Sequence, residues 1–300
     1  MFAFLHNNPD VVLEFSGNEK LQEEIQDFAP KDLPCFHRNG TITGTVTVTP
    51  PAGKIVSHRA INLILFGEYR NEKKQPLTRF FQRTQCLAPP GDLTHELKYD
   101  FKFENMNLPT NTYYGTKINA IFGIELRVVH RISDFVHEKQ FIALSYDSYP
   151  LKTTIHNEVG IRNILHVEFI FPKQAYDARE AVVGAAYFIL VKLRIVHMKM
   201  NIYRVESYES DTSAFKESTI LKSYEILDGA PVRGDHIPIR IFLDDSNIWP
   251  YHSFVGSELK VDHYLRVEMV DENGKKYFKR MKIYFSRFKP QQKEKKTTSR

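Results

Sequence analysis

Three hundred residues with 42% hydrophobic and 13% aromatic content exclude a disordered chain, and a net charge of +5 is too small for a nucleic-acid footprint. Two cysteines exclude a disulfide framework and point to a reducing compartment. The longest apolar run, Ala181 to Val191, has eleven residues between Glu180 and Lys192, too short to span a bilayer, and no basic-then-apolar leader opens the chain. A cytoplasmic protein that meets membranes only peripherally is expected.

In chain order, Val11, Leu13 and Phe15 alternate first, the period of a strand with one buried face. Weak helical periodicity follows over Glu19 to Phe28, the one stretch of its kind. Alternation resumes with Ile42, Val46 and Val48, then Leu97, Tyr99, Phe101 and Phe103, and runs longest from Ile118 to Val128. In the second half it returns in Leu165–Phe171, Leu259–Met269 and Tyr277–Phe285. Between Val191 and Val205 the phase inverts near Val196–His197, the signature of an irregularity such as a bulge. Turn signals such as Arg38-Asn39-Gly40, Pro89-Pro90-Gly91 and Glu272-Asn273-Gly274 separate these segments. Many short strands joined by turns predict an all-β protein of sandwich type.

The halves also echo one another at an offset of about 140 residues. Gly44 answers Gly184, His58 answers His197, and Leu126-Arg127-Val128 answers Leu265-Arg266-Val267. The pattern predicts two tandem sandwiches, one over 1–157 and one over 158–288. A basic tail over 289–300, with Lys289, Lys293, Lys295, Lys296 and Arg300 against Glu294, is expected to be disordered and holds much of the positive excess.

Residues equipped for chemistry are scarce. None of the twelve histidines pairs at the HxxxH interval of a helical zinc site, and Cys35-Phe-His37 has only Cys86 as a further thiol. There is no G-x-S-x-G elbow and no phosphate-cradling glycine motif. Adjacent carboxylates at Asp244 and Asp245 would point to opposite faces of a strand and could not converge on one bond. No enzyme activity, metal or cofactor is expected.

The most informative stretch runs from Tyr224 to Leu243. Ile226 and Leu227 are followed at once by the turn dipeptide Asp228-Gly229, then by Pro231 and Gly234. Beyond them Ile237, Ile239, Ile241 and Leu243 alternate with Pro238, Arg240 and Phe242. Two large aliphatics in a turn-rich loop either fold back onto a core or are offered to a partner. The second option points to an interaction protein.

Several segments together resemble the vacuolar protein sorting-associated protein 26 family, the arrestin-like subunits of the retromer coat. They are Pro90-Gly91-Asp92-Leu93-Thr94 with Tyr99-Asp100-Phe101-Lys102-Phe103, Val159-Gly160-Ile161 with Leu165-His166-Val167-Glu168-Phe169, Val183-Gly184 with Tyr187–Val191, His197-Met198, and Asp228–Gly234 with Ile237–Arg240. The likeness covers about Asn39 to Arg287. It implies two tandem arrestin-like β-sandwich domains, no catalysis, and recycling of transmembrane cargo from endosomes. It implies docking of Ile226, Leu227, Asp228 and Gly229 on the large α-solenoid retromer subunit. It also implies that Val159 and Phe278 receive cargo tails and a sorting nexin. Where relatives carry an acidic residue for a PDZ-bearing nexin this chain has Asn39, which argues against that partner. The alternatives are the paralogous subunit of the retriever complex and a free arrestin-like receptor adaptor. The intact Asp228–Gly234 segment favours retromer over the first, and the lack of proline–tyrosine motifs after Pro290 disfavours the second.

Overall fold

The computed structural model of the chain describes residues 8–16, 33–148, 153–243 and 248–288. The stretch Glu19 to Phe28, the pair Asp244-Asp245 and the basic tail lie outside the described residues. Among the described residues there is no helix, and so none long and apolar enough to cross a membrane. The chain packs as two compact units. The first comprises Met1–Ser145, Tyr208–Ser213 and His252–Glu258, the second Tyr146–Ser207, Ala214–Tyr251 and Leu259–Arg300.

The first unit contains β1 (Asp10–Ser16), β2 (Cys35–His37), β3 (Ile42–Thr49), β4 (Val56–His58), β5 (Ala60–Asn71), β6 (Pro76–Ala88), β7 (Gly91–Leu93), β8 (Leu97–Phe103), β9 (Tyr113–Tyr114), β10 (Ile118–Val129) and β11 (Phe135–Leu144). One sheet has the order β1-β3-β8, a larger one β2-β11-β10-β5-β6 with β9 added on β10, and β4 and β7 pair separately. Alternation along β10 has a direct structural result: Ile118, Ala120, Phe122, Ile124, Leu126 and Val128 are all fully buried. Phe122, Ile124, Leu126 and Val128 share one core with Val46 and Phe101 of the facing sheet. Each such side chain contributes on the order of 1.5–3 kcal/mol of burial.

The opposite face of the larger sheet carries a second, charged layer. Glu68 and Glu125 are buried there, and Arg79 bridges them at 3.1 and 2.8 Å while its guanidinium lies 4.7 Å from the Phe66 ring. Arg70 joins Glu68 to Glu138, and Arg127 pairs with Glu125.

The second unit contains β12 (Ile155–Ile161), β13 (Leu165–Phe171), β14 (Ala175–Asp177), β15 (Ala181–Val191), β16 (Ile195–Glu209), β17 (Ala214–Asp228), β18 (His236–Phe242), β19 (Leu259–Asp271) and β20 (Lys276–Ser286). Its sheets run β12-β13-β15-β18 and β14-β20-β19-β16-β17. The second order repeats β2-β11-β10-β5-β6 strand for strand, and in both units the short edge strand pairs parallel to its neighbour. This is the all-β, duplicated architecture the repeat pattern predicts, consistent with the arrestin-like fold the resemblance implies. Residue 157 lies within β12, whose seven residues all pair with β13, and the compact units divide between Ser145 and Tyr146.

Gly44 and Gly184 hold corresponding places on β3 and β15, and both are required by close approach. A Cβ on Gly44 would sit 2.6 Å from the Phe101 ring, and one on Gly184 would sit 2.4 Å from the Phe171 ring. The phase inversion expected in the second half is present in β16. Ile195 and Met198, three residues apart, are both fully buried.

Candidate functional site

The stretch singled out in the sequence lies at the end of β17. Ile226 and Leu227 are the strand's last two apolar residues rather than loop residues, and each is half-buried against the core of the second unit. This corrects the expectation of two aliphatics projecting from a loop. Tyr224, one turn of the pleat earlier, ties the strand down by donating its hydroxyl to the Phe242 carbonyl at 2.9 Å. Glu225 points away from that contact and pairs with His197 Nδ1 at 2.5 Å.

The chain then leaves the sheet through the loop 229–235, which is held at three points. Gly229, at φ +142°, donates its amide to the Val196 carbonyl at 3.3 Å. Asp235 closes a turn: its Oδ2 accepts the Val232 amide at 2.8 Å, and its own amide donates to the Val232 carbonyl at 3.2 Å. Gly234, at φ +93°, donates to the Phe188 carbonyl at 2.8 Å, and the Phe188 amide returns a bond to the Asp235 carbonyl at 2.9 Å. Left-handed φ at both glycines explains why the loop needs residues without a Cβ there.

Leu227 and this loop enclose an open cavity of about 380 Å³, lined also by Gly229, Ala230, Pro231, Asp235 and Ile237. Pro231 is buried beneath it, whereas Val232 is 62% exposed. Asp228 and Gly229 are exposed. Of the four residues expected to meet a solenoid partner, two are therefore surface residues and two present only part of their side chains. No cysteine, serine, threonine or lysine is among the residues that line the cavity.

Val159 and Phe278 part company. Val159 lies in the core on β12, opposite Val167, with 9% of its surface exposed. Phe278 points outward from β20 and is 62% exposed. Strands β12 and β20 do touch, but only Phe278 offers its side chain to a ligand. Asn39 is exposed in the turn that closes on the His37 carbonyl through the Gly40 amide at 2.8 Å. Among the described residues no three metal-ligating side chains stand together.

Two site residues escaped sequence reasoning. Phe188 looks like one more core position of β15, and its backbone role in anchoring the loop leaves no trace in side-chain pattern. Asp235 had a readable signal, since an acid three residues after Val232 with glycine between them is a turn-closing arrangement.

The model of the family described as vacuolar protein sorting-associated protein 26 matches residues 7–274. A protein of that name from Caenorhabditis elegans is 34% identical over 254 residues, covering 83% of this chain and 70% of the worm protein. Vacuolar protein sorting-associated protein 26B of Danio rerio is 30% identical over 280 residues, covering 91% and 84%. The Drosophila melanogaster protein is 31% identical over 287 residues, covering 94% of this chain and 60% of its own length. With a match across nearly all its strands and a duplicated all-β fold to accompany it, the chain belongs to the vacuolar protein sorting-associated protein 26 family.

Proposed function

We propose that the chain is a non-enzymatic retromer subunit that links a large α-solenoid scaffold to transmembrane cargo and sorting nexins at the endosome. The family membership supports protein sorting as the process. One structural observation carries the finer reading: Ile226 and Leu227 remain half-exposed at the end of β17, beside a loop already fixed to its own sheet. A rim of this kind costs little ordering on binding, because the loop's backbone has been immobilised in advance. Burial of the remaining aliphatic surface contributes on the order of 1 kcal/mol per side chain, less than for fully exposed residues.

Asp228 and Gly229 extend the surface, and the neighbouring cavity accepts a side chain of the partner. Phe278, exposed on β20, is the cargo-facing residue in this reading, and Val159 is a core residue of β12. Size-exclusion chromatography of the full chain with the solenoid subunit tests the proposal. Co-elution in one peak is expected, and separate elution at micromolar concentration contradicts it.

A further inference from the structure

The cavity beside the end of β17 has walls of two kinds. Leu227, Pro231 and Ile237 supply apolar surface, and Asp235 and His236 are its polar side chains. At about 380 Å³ it lies near the lower end of ligand pockets, about 300–1,000 Å³, with room for one or two side chains and not for a helix. One carboxylate and one imidazole are too few ligands for a metal ion.

The Asp235 carboxylate is oriented before any partner arrives. Its Oδ2 accepts the Val232 amide at 2.8 Å, its own amide donates to the Val232 carbonyl at 3.2 Å, and its carbonyl accepts the Phe188 amide at 2.9 Å. The turn leaves Oδ1 unused: among the described residues that oxygen has no hydrogen bond or ion pair. Arg233, two residues earlier, is exposed and makes no ion pair with it. His236 is occupied by the Tyr187 ring, stacked on it at 6.2 Å and 21°. Asp228, exposed at the end of β17, adds a second negative charge to this edge. An anionic acceptor of fixed orientation therefore stands beside apolar walls without a counter-charge. Covering it with a wholly apolar side chain would remove its water and give no hydrogen bond in exchange.

We propose that the cavity takes a cationic side chain, a lysine or an arginine, from the surface of the α-solenoid subunit. Its methylenes lie along Leu227, Pro231 and Ile237 while its charged end donates to Asp235 Oδ1. Long basic side chains suit such a site because their stems are apolar and only their ends need a polar partner. With Oδ2 committed to the Val232 amide, the contact is a single charge-assisted bond rather than a two-point fork. Asp235 thereby sets which residue the partner must present, and Ile226 and Leu227 supply contact area. The inference rests on the docking reading of this loop, that a solenoid subunit covers it.

Isothermal titration of the solenoid subunit into the full chain, at about 50 mM and about 500 mM salt, tests the assignment. Asp235→Asn removes the charge and keeps a side-chain oxygen that can close the turn on the Val232 amide. It should weaken binding about tenfold at low salt and by less at high salt. Asp235→Lys should weaken it further. Asp211→Asn, which neutralises an exposed acid of the first unit, should leave affinity unchanged. Thermal melts followed by circular dichroism establish that the variants are folded. Parental affinity in Asp235→Asn overturns this inference alone and places an uncharged side chain in the cavity. A loss of equal size at both salt concentrations also overturns it, because turn geometry rather than charge then governs binding. No binding of the parent overturns the docking reading and this inference with it.

Discussion

The amide of Gly234 donates to the carbonyl of Phe188 at 2.8 Å, so the loop after β17 is stitched to β15, an inner strand of the sheet that β18 joins, rather than left to the partner to order. Gly234 adopts φ +93°, where an L side chain is strained by about 1–3 kcal/mol even though a Cβ would meet open space. Gly234→Val should therefore lower stability by about 1–2 kcal/mol in urea unfolding and weaken docking of the solenoid subunit more than stability alone accounts for. A variant that melts lower but binds undiminished would show that the loop's rigidity is irrelevant to docking.

Gly44 and Gly184 make the same prediction twice. At each, a methyl group would enter the face of a buried phenylalanine and approach a backbone carbonyl, at 2.1 Å from Glu14 and 2.7 Å from Ile170 respectively. Neither carbonyl can retreat without opening a ladder. Gly44→Ala and Gly184→Ala are each expected to destabilise by about 1–3 kcal/mol in chemical denaturation. Gly44→Ala combined with Phe101→Leu should recover part of the loss.

Arg79 covers two buried carboxylates at once, those of Glu68 and Glu125. Replacing it with methionine keeps much of the packing over Phe66 and removes the compensating charge. Arg79→Met should cost about 3 kcal/mol, in the range for breaking a buried ion pair. The combined variant with Glu68→Gln should cost less than the single change, which a double-mutant cycle in urea measures.

His263 sets an acid limit on the second unit. Its ring is buried edge-on to Phe285 at 4.9 Å, and burial, reinforced by Arg204, pushes its pKa down from 6.5 to about 3. Between those values the unfolded chain binds a proton that the folded one refuses. Stability therefore rises with pH across that window and is lost as pH falls below 6.5, by about 1.4 kcal/mol per pH unit. His263→Leu also removes a buried ring nitrogen that lacks a hydrogen-bond partner. Urea melts at pH 6.5 and pH 5 should differ by about 2 kcal/mol less in His263→Leu than in the parent. An unchanged difference would place the acid sensitivity elsewhere.

Much of the fold was legible because strand alternation reports burial directly. Ile118 to Val128 and Leu265 to Met269 alternate in sequence and are buried where the pattern says. The duplication was visible in Gly44 and Gly184 because a glycine facing an aromatic ring is a packing requirement that both halves share. The site was harder to read. Ile226 and Leu227 looked like loop residues because Asp228-Gly229 follows them, yet the turn comes after the strand ends, and period-two reasoning cannot locate that end. Val159 fits a binding residue and a core residue equally well by type, and only its pairing with Val167 decides.

The central claim is that the half-exposed aliphatic pair on β17 is covered by the solenoid subunit. Isothermal titration of that subunit into the full chain, alone and as the Ile226→Asp, Leu227→Asp double variant, tests it most directly. The account predicts affinity at least about 30-fold weaker in the double variant. It also predicts no change for Ile220→Asp, which alters an exposed residue of the same strand outside the site. A folded double variant that binds as tightly as the parent would contradict the account.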